Sequence, residues 1–347
     1  MQHSLKKIMM AAVLGGAFTA PAFAQSSVTV SGLVDNYVGK LQNSGARSTT
    51  GLNSGGMTTS WIGFKGSEDL GNGVKANFML NSFLQTDTGA YGRFTGDTLF
   101  SRDAVVGLSG NFGAVSVGRE LAPQFLPTIL FNPFGDSYTF SPLLVQNNIG
   151  TAGFGSSVAG DTGWSNSIRY TTPSFGGLTG NLHYQLGERA GDTSKNNIGA
   201  NVLYFSGPLA LTAYYHQVEV NNPTDFPLNN VNQGATEQKA WMLGGSYDLK
   251  AAKLFLTYGQ TKHDIALKDK TAQVGASIPL GNGKVLASYA TTKRDVAGGS
   301  DPKRNTASVG YDYDLSKRTD LYAIYMSDKI TALERGNSFG VGVRHRF

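Results

Sequence analysis

Hydrophobic and polar residues alternate with a period of two through most of this chain. Val28, Val30, Gly32 and Val34 share one face of the first such run, with Thr29, Ser31, Leu33 and Asp35 on the other. Ile168 and Tyr170 alternate with Ser167 and Arg169. In the last run Phe339, Val341, Val343, His345 and Phe347 alternate with Gly340, Gly342, Arg344 and Arg346. A period of two predicts β-strands with one apolar and one polar face.

The breaks between these runs are of two kinds. Short, Gly-rich or Asp-led breaks fall at Asp69–Gly73, Gly110–Gly113, Ser174–Gly177, Ser206–Pro208, Asp248–Ala252, Leu280–Gly283 and Asp314–Thr319. Gly and Asn supply the positive φ of tight turns, and Pro fixes the other half. Longer polar breaks fall at roughly 41–57, 87–97, 121–163, 190–196, 221–235, 264–269, 295–304 and 330–336. The two kinds take turns and delimit about sixteen strands of about ten residues, the length of a tilted membrane-crossing strand. That pattern predicts an all-β, 16-stranded antiparallel transmembrane β-barrel with short periplasmic turns and long external loops. A soluble β-sandwich would not sort its connections into two alternating lengths.

Composition agrees. Only 15% of the 347 residues are charged, against about a quarter in soluble domains, and there are 15 Tyr, 19 Phe and no Cys. Residues 1–24 read as a cleaved signal peptide: Lys6 and Lys7, the apolar run Ile8–Phe18, then Ala22-Phe23-Ala24. The apolar run is too short for a spanning helix of about 20 residues. Without Lys6 and Lys7 the remaining chain, 25–347, holds 27 basic against 24 acidic residues, a net of +3. So mild a surplus does not support nucleic-acid binding, which needs a concentrated basic patch.

SSVTVSGLVDNYV, IGFKGSEDLGNGVKANF, FSRDAVVGLSGNFGAVSVGR, NSIRYTTPSFGGLTG and the terminal VGVRHRF carry a resemblance to the general diffusion porins of Gram-negative outer membranes, especially those of β-proteobacteria. These pieces lie at both ends and in the middle, so the resemblance spans the chain after the leader. It implies a water-filled barrel in the outer membrane, passing small ions and hydrophilic solutes and assembled as a homotrimer in lipid. It implies a third long loop folded inward, and a terminal Phe347 read by the barrel-assembly machinery.

The run 121–163 suits that inward loop. It carries Pro123, Pro127, Pro133 and Pro142, apolar clusters at Phe125-Leu126 and Phe131–Phe134, and only two charges, Asp136 and Asp161. A barrel of about sixteen strands leaves an aqueous channel, so something must set its cutoff; the bland alternative is a flexible external loop. Resemblance places Arg102 and Arg169 on the facing wall at the constriction, with Arg119 a third candidate and Asp136 on the loop. Alternation independently turns Arg169 inward. Arg102 conflicts with alternation, since Ala104, Val106 and Leu108 share its parity; a bulge would reconcile this. Lys65, Lys75, Arg344 and Arg346 are expected to line the lumen nearer the periplasm. For any one of these cations the bland alternative is a solvated rim charge.

Two departures stand out. Trp61 occupies a position where related porins commonly have Arg, and by parity with Gly63 and Lys65 it faces the lumen. Asn81 stands where an acidic residue is frequent. Both changes weaken a transverse field, so a strong anion preference does not simply carry over; the excess of lumen Arg over acid predicts a mild one.

No catalytic, cofactor or metal constellation is legible. After the leader the histidines are His183, His216, His263 and His345, none in HExxH spacing, and there is no thiol. Gly107, Gly110 and Gly113 surround a strand turn, unlike a dinucleotide-binding strand–loop–helix unit. Another class of function, an adhesin or structural anchor with a closed lumen, would be distinguished by its lack of conductance.

Overall fold

The computed structural model describes residues 27–347 except 152–153, 159–160, 189, 191–194, 221–235, 297 and 300. The expected leader, 1–24, and the polar break at 221–235 lie outside the described residues.

The chain runs β1 (Ser27–Leu41), β2 (Thr49–Ser54), β3 (Trp61–Gly71), β4 (Val74–Gln85), β5 (Ala90–Tyr91), β6 (Asp103–Gly110) and β7 (Gly113–Leu121). Two short helices follow, α1 (Phe125–Leu130) and α2 (Pro142–Asn148). Then come β8 (Gly163–Thr171), β9 (Leu178–Gln185), β10 (Asn197–Ser206), β11 (Leu209–Val218), β12 (Gln238–Asp248) and β13 (Lys253–His263). The last are β14 (Leu267–Leu280), β15 (Gly283–Val296), β16 (Lys303–Asp314), β17 (Thr319–Ile330) and β18 (Gly336–Arg346). Each strand pairs antiparallel with its neighbours, and β1 pairs with β18, Val38 opposite Val341, so the sheet closes on itself. Closure leaves no edge in the membrane.

The wall has sixteen strand positions, because two are shared by broken strands. β1 pairs through Asn36–Leu41 with β2 and through Ser27–Leu33 with β3. Likewise β4 pairs with β5 above and β6 below. The expected loop at 41–57 is therefore shorter, because Thr49–Ser54 return to the wall, and residues 55–60 form the break. One carboxylate holds that break. Asp35 accepts the N–H groups of Gly56, Met57 and Thr58 at 3.2, 2.8 and 2.7 Å, and the hydroxyl of Tyr322 also donates to it.

Side chains on one face of each strand are exposed and apolar, including Val106, Leu243, Leu256, Val274 and Val341. Water would penalise this surface; lipid does not. No helix of the described residues is long and apolar enough to cross a membrane; the crossing is made by strands. The short turns close one end, as at Asn72-Gly73, where both residues have positive φ, 53° and 75°. Two consecutive positive φ values suit a tight hairpin whose twist matches its strands.

The packed core lies inside the barrel, between the run 122–162 and the inner faces of β1 and β15–β17. Phe134, Phe140 and Val145 pack there with Tyr37, Leu286, Tyr322 and Ile324, all nearly inaccessible. Phe140 meets Tyr37 edge-on, centroids 5.6 Å apart. The loop crosses the wall so closely that a Cβ on Gly275 would lie 2.7 Å from Pro133, and one on Gly340 2.7 Å from Phe140. The run thought aperiodic contains α1 and α2, each under two turns and too short to show a period. Pro142 opens α2, where its missing N–H costs nothing.

Candidate functional site

Polar contacts fasten the loop at both sides of the lumen. On the far wall, Gln146 donates to the carbonyl oxygens of Ala290 (2.8 Å) and Arg304 (3.1 Å) and accepts from Thr292 at 2.6 Å. Arg304, fully buried, pairs with Asp328 at 3.0 Å and donates to the carbonyls of Val145 and Ile149 at the end of α2. On the near side, Ser137 and Thr139 donate to the carbonyls of Gly56 and Gly55, at 2.6 and 2.9 Å, and Thr58 donates to Asp136 at 2.9 Å. The loop thus rests on the segment that breaks the wall between β2 and β3.

Trp61 begins β3 with its side chain inward. The guanidinium carbon of Arg102 lies 4.0 Å from the centre of its ring and 5.8 Å from that of Phe83. The parity conflict at Arg102 has a simple resolution: β6 starts at Asp103, opposite Asn81, so Arg102 precedes the strand and is not bound by its alternation. Val106 and Leu108 still face outward. Arg102 Nε stands 3.6 Å from Asp103, and its terminal nitrogens make no hydrogen bond among the described residues. Burial draws its pKa below the ordinary value, with Asp103 and Asp136 opposing that shift. It stays a cation at any physiological pH. Asn81 donates to Asp103 at 2.8 Å, so the amide holds a neighbouring carboxylate where an acid was expected.

Asp136, on the loop, faces this cation. Burial raises its carboxyl pKa above 3.8, against the Thr58 donor and the charges of Arg102 and Arg344.

The other sequence-selected cations are placed differently. Arg169 faces the lumen and pairs with Glu120 at 3.0 Å. Arg119 is nearly buried: it donates to the carbonyls of Ser101 (2.6 Å) and Gly163 (3.0 Å), to Ser165 (3.0 Å) and to Asp161. A bulge where Gly118 takes φ +131° turns it there. Each of its three guanidinium nitrogens is engaged, so it is a latch between the loop's end and the wall. Arg93 completes the latch, pairing with both Asp97 and Asp161. Arg344 points inward but is taken up by Asp320 (2.9 Å), Asp312 (3.3 Å) and Thr58 (2.9 Å), and Arg346 by Asp320 (2.7 Å). Lys65 and Lys75 stand exposed on inward positions, without an ion pair among the described residues. Phe347 closes the seam, exchanging backbone hydrogen bonds of 3.0 and 3.1 Å with Gly32.

Sequence reasoning missed the counter-ions Glu120, Asp312 and Asp320, and the trap around Asp35. The inward parity of these acids was readable; their partners on other strands were not. The Gly55-Gly56 pair was the available sign of the break.

A closed sixteen-stranded barrel with a lipid-facing exterior, a polar interior and a loop braced across it is a membrane channel. The family model of Gram-negative porins matches residues 10–332, and the chain belongs to that family, in the outer membrane. Outer membrane porin protein 32 of Delftia acidovorans is 33% identical, aligned over 99% of both chains. An outer membrane porin of Bordetella pertussis is 30% identical over 99% of this chain and 100% of its own. Among solved structures, the anion-selective porin from Comamonas acidovorans is 30% identical with a TM-score of 0.76, covering 93% of this chain and 100% of that one. The trimer form of OmpT from Vibrio cholerae, 16% identical with a TM-score of 0.68 and coverage of 93% and 99%, shares the fold.

Proposed function

We propose that the channel passes small hydrophilic solutes and ions by passive diffusion, with a mild preference for anions, through an eyelet bounded by Trp61 and Arg102 on the wall and Asp136 on the loop. The observation that carries this is the state of Arg102: stacked on an indole, facing the loop, with its terminal donors unengaged. Lys65 and Lys75 extend positive potential toward the periplasm, with Arg169 partly offset by Glu120. Rings of charge at a narrow point select ions by sign. The preference is mild because Arg344, Arg346 and Arg119 are compensated and Asp136 opposes Arg102. The anion-selective relative supports the same sign.

The mature chain starts at Gln25 after loss of 1–24, inserts by way of Phe347 as the signal for barrel assembly, and forms a homotrimer in lipid through outward apolar faces. The loop 121–163 sets the width.

Single-channel recording in a planar bilayer under a KCl gradient tests this reading. A reversal potential on the chloride side supports it; one favouring potassium, or no conductance, overturns it.

A further inference from the structure

The inward loop also rests on β9–β12, and the row of wall beneath it there carries two buried histidines. His183 on β9 and His216 on β11 each lie directly opposite Gly199 of β10. All three face inward and are buried. The start of the loop lies on Gly199, where an added Cβ would stand 2.6 Å from Pro123 and 2.9 Å from the Cβ of His216. Beside them the ring of Trp164 is centred 6.3 Å from that of His183 and 6.1 Å from that of His216. The next residue of the row, Ala240, lies opposite His216 and packs with Leu143 of α2.

The polar ties between loop and wall at this place are neutral. Asn201 donates to the carbonyl of Pro123 at 2.8 Å, and Gln238 to that of Ser157 at 3.4 Å. The charged ties lie to one side, where Arg93 and Arg119 hold Asp161. That latch is a pivot about which the rest of the loop can turn.

A proton added to either histidine would put a charge between the wall and the loop. A buried charge is costly without a partner, and the carboxylates here are committed elsewhere. The charged group acting on His183 is another cation, Arg169, opposite it on β8. Its counter-ion Glu120 pairs with it at 3.0 Å and accepts from Ser116 at 2.7 Å. His216 is faced by Tyr214, Trp164 and Gln238. His263, on β13, differs: Asp264, Asp269 and Arg294 face it, and Gln238 lies 3.1 Å from its ring.

We propose that His183 and His216 form an acid-released seat for the constriction loop. Protonation of both rings charges the seat, and the loop turns away from β9–β12 about the Arg93–Asp161–Arg119 latch. A segment leaving the wall can move only into the lumen, so the released state is the narrower one. This rests on the reading of 121–163 as the loop that sets the width. Histidines freed to water bind protons at about pH 6.5. Each proton taken up only on release raises the ratio of narrow to open states about tenfold per pH unit, and two raise it about a hundredfold.

The test uses the purified full-length protein in a planar bilayer, in symmetric KCl, as pH is stepped from about 7 to about 4. The readout is the ratio of time spent at a reduced current level to time at full current. In wild type this ratio is expected to rise about a hundredfold per pH unit. In H183Q and in H216Q it is expected to rise about tenfold, and in H183Q/H216Q to stay flat. H263Q and D136N keep the wild-type steepness, and all these variants conduct at pH 7. A channel that conducts at pH 7 but shows no reduced level on acidification overturns the proposal while leaving the channel reading intact; no conductance at any pH overturns that reading itself. A steepness unchanged in both single variants, or abolished by H263Q, also overturns the proposal. If the double variant does not fold, the two single variants decide the matter.

Discussion

The guanidinium of Arg102 lies over the indole of Trp61, 4.0 Å from the ring centre. The stack fixes the plane of the cation and leaves its terminal donors unengaged. A cation–π contact of this kind is worth about 0.5–2 kcal/mol. Trp61 therefore acts on the charge of the lumen indirectly, by orienting a neighbour.

Replacing Trp61 by Arg puts a second cation beside Arg102 and removes bulk from the channel. Two cations a few ångströms apart in water repel by about 1 kcal/mol and raise the local potential accordingly. The chloride-to-potassium permeability ratio is expected to rise about two- to fivefold, with increased conductance, in reversal-potential measurements at low salt. An unchanged ratio would place Trp61 away from the narrowest point.

Selectivity should depend on pH through Asp136. Its carboxyl pKa is raised by burial, so it takes up a proton at a higher pH than a free aspartate. As pH falls through that raised value, the loop loses the negative charge facing Arg102, and anion preference increases. Asp136→Asn is expected to show the acidic-side ratio already at neutral pH and to flatten the dependence. A ratio constant in wild type from about pH 7 to about pH 3, below the ordinary aspartate value, would contradict this.

Arg304→Ala removes the cation that joins Asp328 to the end of α2. Leaving a buried carboxylate without its partner costs about 3–5 kcal/mol, and the carbonyls of Val145 and Ile149 lose their donor. The expected result is a lower melting temperature and noisier, larger single-channel currents. A variant with wild-type melting and quiet wild-type current would show that α2 is held by its other contacts alone.

The barrel was legible because its determinants are local. Outward positions such as Val341 and Val343 must be apolar, inward ones such as Arg344 need not be, and turns such as Asn72-Gly73 need positive φ. The inward loop was legible as a failure of that alternation. What could not be read were relationships between residues distant in sequence. Arg344 looked like a free lumen cation until Asp312 and Asp320 were seen beside it; Arg119 looked like an eyelet residue until a one-residue bulge turned it into Asp161. Alternation spoke against Arg102 for a different reason: it was extended one residue past the point where β6 begins.

The segment 55–60, tied by three N–H groups to Asp35, changes what kind of mechanical element the loop is. A loop attached only at its own two ends would be a flap, free to swing and widen the opening by degrees. Here the tip of the loop bears on the 55–60 ledge while α2 bears on β14–β16 and α1 on β10 and β11, like a beam seated on its abutments. A beam does not swing. It stays seated or it leaves one support, so the aperture should switch between discrete sizes rather than drift.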